Sequence, residues 1–202
     1  RMRYMYKKVM LCVLFFLILS ATNVLASEDT GTLIKNLGSP DATIQQEAMN
    51  GLISMGSEAV PALLEALKNE NSTIRSSAAA LLGYTGDSRA SEPLIKLLQD
   101  REQTVVIAAI NALSSMKAPE ATPEIIKQLK SSDWEIRRAA VGVLGSMEGK
   151  SVVDEIIKIL KNDKDKNVRS SAAYALSYKY DTKVIKPLLD ALKDSESDVR
   201  IA

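Results

Sequence analysis

One spacing governs this chain. An isoleucine or valine at Ile44, Ile74, Val105, Ile136 and Val168 is followed four residues on by Ala48, Ala78, Ala109, Ala140 and Ala172. Four residues further come Leu52, Leu82, Leu113, Leu144 and Leu176. The register steps by 30, 31, 31 and 32 residues, and a sixth begins 31 residues later at Val199. Self-similarity at such a period predicts a solenoid of stacked units rather than a compact globule, because one unit cannot bury its own apolar faces.

Apolar residues at 0, +4 and +8 share one stripe of an α-helix, and the small alanine in the middle lets a neighbouring helix come close. A second apolar block precedes each of these, with columns such as Leu33, Leu63, Leu94, Ile125, Ile156 and Leu188, then Leu37, Leu67, Leu98, Leu129, Leu160 and Leu192. Its i, i+1, i+4 spacing predicts a helix as well, so each period reads as a helical hairpin of about three turns per helix. Asp41, Asn71, Glu102, Asp133, Asp165 and Glu196 form a column just before the second helix, where a side-chain oxygen can cap free N–H groups. Pro61, Pro93, Pro123 and Pro187 fall near the start of the first helices, where a missing N–H costs least. Gly83, Gly86, Gly142 and Gly145 fall at or near second-helix ends and read as terminators.

At these residues the chain resembles the HEAT-repeat family, most closely its phycobilisome-lyase-type units with the pattern L-L-x-x-L, then D-x-x-V-R-x-x-A-x-x-A-L-G. The runs DWEIRRAAVGVLG and DKNVRSSAAYALS carry the likeness, which covers roughly residues 30 to 202. It implies an all-α fold, a right-handed α-solenoid of five to six hairpins at about 29–56, 57–86, 87–117, 118–148, 149–180 and a truncated 181–202. It also implies that the leucine-rich helices form the convex layer and the V-R helices the concave one. The arginine after the valine resembles the family's ladder residue, which pairs with the acidic turn residues; here Arg75, Arg137, Arg169 and Arg200 hold that column, with Asp133 and Asp165 as acidic members. Gln45 and Val106 depart from it, so the ladder is interrupted at units one and three.

Residues 1–26 read differently. A basic start (Arg1, Arg3, Lys7, Lys8), an apolar run from Val9 to Leu19 and Val24-x-Ala26 have the layout of a secretory signal peptide cleaved after Ala26. The protein is therefore expected outside the cytoplasm, in the periplasm, at the cell surface or in the medium, with membrane contact only if the leader stays uncleaved. The last register stops three residues past Val199, and the sequence is expected to be a fragment of a longer array. The only cysteine, Cys12, lies in the leader, so no disulfide staples the repeats. Past residue 26 the chain has 22 basic and 25 acidic residues, a net charge of −3, which argues against nucleic acid as a partner.

Chemistry is scarce. There is no histidine, which removes the commonest general base, the Ser-His-Asp and Cys-His arrangements and most zinc sites. No Gly-rich phosphate loop occurs. Asp163 and Asp165 in KNDKDKN lack the glycine and distal glutamate of a calcium loop and read as a solvated turn. No catalytic residue, metal or cofactor is expected.

The predicted function is binding of a protein or peptide by the concave face. Its candidate residues are Tyr84, Asn111, Trp134, Arg138, Tyr174 and Tyr178, since Tyr, Trp and Arg dominate contact hot spots. Trp134, Arg138, Tyr174 and Tyr178 are expected to form one patch. Two rival readings stand beside it: an enzyme or cofactor handler of the lyase or hydroxylase branches that resemble these repeats, and an envelope element gripping anionic polymer or lipid. The second would use the lysine columns Lys96, Lys127, Lys158 and Lys68, Lys130, Lys161, Lys193.

Overall fold

The computed structural model describes residues 29–202, and the leader lies outside the described residues. The first helices of the hairpins are α1 Thr30–Asn36, α3 Val60–Ala66, α5 Ser91–Leu97, α7 Thr122–Gln128, α9 Lys150–Asn162 and α11 Ile185–Ala191. Alternating with them are the second helices α2 Ala42–Met55, α4 Ser72–Thr85, α6 Gln103–Ser115, α8 Trp134–Ser146, α10 Lys166–Ser177 and α12 Ser197–Ile201. No strand occurs among the described residues, and the hairpins stack into an all-α solenoid.

The first helices are shorter than the three turns expected. Five of the six have seven α-helical residues, and four of these follow a 3-10 turn. The proline in their opening turn cannot donate an N–H, so the α-helical ladder does not run back through it. The ninth helix has Asp154 and Glu155 where α3, α5, α7 and α11 carry proline, and it runs unbroken for 13 residues. Its continuation to Asn162 also absorbs the one extra residue of the 32-residue period.

Capping fixes where the second helices begin. Asp41, Asn71, Asp133 and Asp165 accept N–H bonds from two or three residues on, at 2.8 to 3.4 Å. Glu102 and Glu196, one methylene longer, make no such cap.

The core is a continuous seam of the recurring columns. Leu37, Leu52, Leu63, Leu82, Leu94, Leu113, Ile125, Leu144, Ile156 and Leu176 are all buried, as are Ala48, Ala78, Ala109, Ala140 and Ala172. The last hairpin shows what stacking contributes: Leu160 is 4% exposed, whereas Leu192 in the same column is 58% exposed. Fully burying one such leucine contributes roughly 1.5–3 kcal/mol, so each stacked neighbour adds stability of that order per buried column.

Second helices approach one another closely only at some seams. A Cβ on Gly83 would stand 2.6 Å from Ala112 Cα, and one on Gly145 would stand 2.8 Å from Ala175 Cβ. These glycines therefore lie inside α4 and α8 and admit the next helix; they do not end helices. Gly86 alone of the four is a left-handed C-cap, with φ +66°. The register equivalents are bulkier at the other seams, Ile53 against Leu81 and Ser114 against Val143. Correspondingly α4–α6 and α8–α10 pack more closely than α2–α4 or α6–α8. The first helices stand further apart, and a cleft of about 530 Å³ lined by Leu64, Leu67, Pro93 and Leu97 opens between α3 and α5. The second-helix layer is thus the short, concave side.

Candidate functional site

Arginine braces tie successive hairpins together. Arg75 gives both Nε and Nη2 to Asp100 at 2.8 Å, while its Nη1 donates to the carbonyls of Asn69 and Glu70. Arg137 does the same with Asp163 at 2.8 and 2.9 Å, and Arg169 with Asp194 at 2.9 Å. Arg200 donates to the carbonyls of Asp194 and Ser195. The expected partners were the acidic turn column, and this is corrected: Asp133 and Asp165 are helix N-caps. The carboxylates that meet the guanidinium lie two residues earlier and one hairpin later. Two residues before the cap the side chain already points back at the preceding hairpin, and in every unit it also accepts the cap residue's own N–H. Asp163, read as part of a solvated turn, has a side chain only 4% exposed.

The electrostatics follow the geometry. Burial pushes the Asp100 and Asp163 carboxyls up, but the hydrogen bonds from Arg75 and Arg137 and from turn N–H groups outweigh it, leaving both below the ordinary carboxylate range. The Arg169 guanidinium, with the Glu196 N–H, lowers Asp194 to about 2. All three pairs stay ionised at neutral pH.

The concave stripe, every fourth residue from two before each recurring Ile or Val, carries the candidate contact residues. Tyr84 on α4 is 72% exposed, and Asn111 on α6 is exposed. On α8 the Arg138 guanidinium lies over the half-buried Trp134 ring, 5.5 Å from its centroid, as a cation–π pair. On α10 the Tyr174 and Tyr178 rings meet edge to face at 5.0 Å, and the Tyr178 hydroxyl donates to that of Tyr174 at 3.0 Å. That hydrogen bond raises the Tyr178 pKa. The single patch expected from sequence is thus two pairs on adjacent helices. Between α8 and α10, and bounded at one side by Ala202 just past α12, lies an open groove of about 530 Å³ lined by Gly142, Gly145, Ser170, Tyr174 and Tyr178.

Gly142 is the residue sequence reasoning undervalued. It sits in mid-helix, where glycine costs about 1 kcal/mol relative to alanine. Unlike Gly83 and Gly145 it admits no neighbour: a Cβ there would meet nothing within 4 Å. The signal was visible as a glycine in a column otherwise held by Asn50, Ala80, Asn111 and Tyr174.

The lysine columns are charge-balanced where they are most regular. Lys68, Lys96, Lys127 and Lys158 each pair with a glutamate one turn earlier on their own helix, Glu65, Glu92, Glu124 and Glu155. Exposed pairs of this kind contribute little stability but cancel the field a basic ridge would need.

Comparison with known proteins agrees with this architecture. The family described as HEAT repeats matches residues 30–114 and 122–202. No curated protein matches the sequence. Among solved structures, the complex of CpcE and CpcF of phycocyanin lyase from Nostoc sp. PCC7120 is similar with a TM-score of 0.63 at 23% identity, over 72% of this chain and 96% of that one. The E. coli protein YibA is similar with a TM-score of 0.68 at 21% identity, over 90% of this chain and 71% of that one. A designed armadillo repeat protein in complex with the peptide (KR)4 has a TM-score of 0.56 at 16% identity, over 86% of this chain and 96% of that one. At these identities the likeness is one of fold. The matched repeats, the hairpin stack and the concave second-helix layer together make this chain a member of the HEAT-repeat family.

Proposed function

We propose that this chain is an exported, non-catalytic scaffold that binds an extended protein or peptide segment in the groove between α8 and α10. The observation that carries the reading is the Tyr174–Tyr178 pair, 59% and 63% exposed beside a cleft floored by Gly142, Gly145 and Ala175. Folding does not require two mutually ordered aromatic rings in solvent, whereas binding gains from them, because they bury large area with little rotamer entropy to lose.

Other features support it. The sequence has no histidine, and the stripes of α6, α8 and α10 carry no carboxylate to act as a base. The pairing of the regular lysines with glutamates counts against a grip on anionic polymer or lipid. No described helix is long and apolar enough to cross a membrane, and the leader is the reason to place the protein outside the cytoplasm. Of the solved relatives, the designed armadillo protein holds a peptide, which fits a groove of this type.

The test is direct. A peptide selected against the whole protein from a random library is expected to lose about 30-fold or more in affinity on Tyr174→Ala plus Tyr178→Ala, the loss of a hot spot of about 2 kcal/mol. Unchanged affinity in the correctly folded variant rules the groove out. For export, N-terminal sequencing of protein secreted by a host with the leader intact is expected to begin at Ser27; retention inside the cell refutes that part.

A further inference from the structure

Resting on the concave-groove reading, the chemistry of the occupant can be narrowed. Seven arginines lie among the described residues, and six are engaged. Arg75, Arg137 and Arg169 hold buried aspartates; Arg89 and Arg101 pair with Asp87 and Glu102; Arg200 holds turn carbonyls. Arg138 alone among them has neither a carboxylate nor a carbonyl, only the face of Trp134. Along the concave stripes of α6, α8 and α10 the one other ionised side chain is Lys166, which Asp198 holds at 3.1 Å. A cation oriented on an aromatic ring, with no internal partner, is an unfilled half of an ion pair.

Gly142 lies one turn beyond Arg138 on the same stripe, and its missing side chain opens the groove beside Tyr174 without admitting any neighbouring helix. Gly142 is exposed, so the space beside it is open to a side chain from outside. One turn of helix is about 5.4 Å, and the far end of the groove at Gly145 is about 10 Å from Arg138. An extended chain advances about 3.3 Å per residue, so these two features are two or three residues apart along a bound segment.

We propose that the partner is an acidic-apolar extended segment. A carboxylate meets Arg138, and a bulky apolar or aromatic side chain two or three residues away enters the space over Gly142 against Tyr174 and Tyr178. A basic peptide such as (KR)4 finds no carboxylate on these stripes and meets Arg138 as a like charge.

A phage-displayed random dodecapeptide library selected on the full chain tests this. The expected result is enrichment of Asp or Glu two or three residues from Phe, Tyr, Trp, Leu or Ile. A synthetic winner then binds at least about tenfold more weakly to Arg138→Glu and to Gly142→Leu, and (KR)4 does not bind. Gly142→Ala separates binding from folding, because it raises the melting temperature while weakening the peptide. Winners that are basic, or that ignore both Arg138→Glu and Gly142→Leu while still needing Tyr174 and Tyr178, overturn this inference and leave the groove standing. Absence of any enriched peptide overturns both.

Discussion

The seam between the second and third hairpins and the seam between the third and fourth use the same columns and fill them differently. At the first, Gly83 lets Ala112 in and Arg75 clamps Asp100. At the second, Ser114 faces the register of Val143, and the brace column holds Val106 and Ser131. There neutral amides stand in: Gln128 donates to the Leu98 carbonyl at 3.2 Å, and Gln103 reaches Asp133 and the Glu135 carboxylate. The first seam of the array is also unbraced, with Gln45 and Asn69 in the brace columns and Gln45 donating to the Leu37 carbonyl. Close approach and ionic brace occur together at the seams after hairpins two and four, while the seam after hairpin five carries the Arg169–Asp194 brace alone. Bringing helices together buries the guanidinium and carboxylate, and a buried charge persists only with a full set of partners. Ionic braces thus join hairpins two and three, and four to six, into two blocks that meet at a softer, unbraced seam.

Breaking a brace should have the largest effect. Arg137→Ala leaves Asp163 buried without its partner and is expected to cost about 3–5 kcal/mol in urea unfolding. Val106→Ala at the equivalent unbraced position should cost about 2 kcal/mol, that of a small core truncation. Equal losses would dissolve the distinction between the seams.

Helix approach can be tested next. Gly83→Ala forces a methyl against the Ala112 backbone and should destabilise by about 1–3 kcal/mol despite alanine's better helix propensity. Ser114→Ala, in the same register at the softer seam, should be within about 0.5 kcal/mol of the parent.

Acid should erase the difference. Asp100, Asp163 and Asp194 titrate in the folded protein below the ~3.9 of an unfolded aspartate. Their contribution is therefore complete above that value and is lost as the pH falls through the folded values, about 2 for Asp194. Amide exchange across α4–α6 should be slower than across α6–α8 at pH 5, and the gap should narrow as the pH falls below the ordinary carboxylate range and protonates Asp100. A gap that persists in acid would assign it to packing alone.

The smallest effect concerns the turn before the softer seam. Lys117 adopts φ +53° in the register where Gly56 and Gly86 adopt +56° and +66°. Lys117→Gly should relieve that strain and raise stability by about 1 kcal/mol or less.

Much of this was legible beforehand because it is periodic. The Ile/Val, Ala and Leu columns repeat often enough to announce hairpins, and the polar column before each second helix announces its cap. The brace partners were written in the sequence too, since Arg75, Arg137 and Arg169 match Asp100, Asp163 and Asp194 while Gln45 and Val106 match Asn69 and Ser131. They were obscured by the cap column two residues away, which is acidic or amide in every unit. Gly83 and Gly145 misled for a similar reason: a glycine near a helix end looks the same whether it terminates the helix or admits another.

The sequence by itself determined the repeat, the capped starts of most second helices and the absence of histidine chemistry, because these depend on residue type and local spacing. Tertiary structure decided between the two acidic columns for each guanidinium, and decided which glycine leaves a groove open. Those outcomes depend on distances between hairpins some 25 to 32 residues apart in the chain, and only the stacking of one hairpin on another sets such distances.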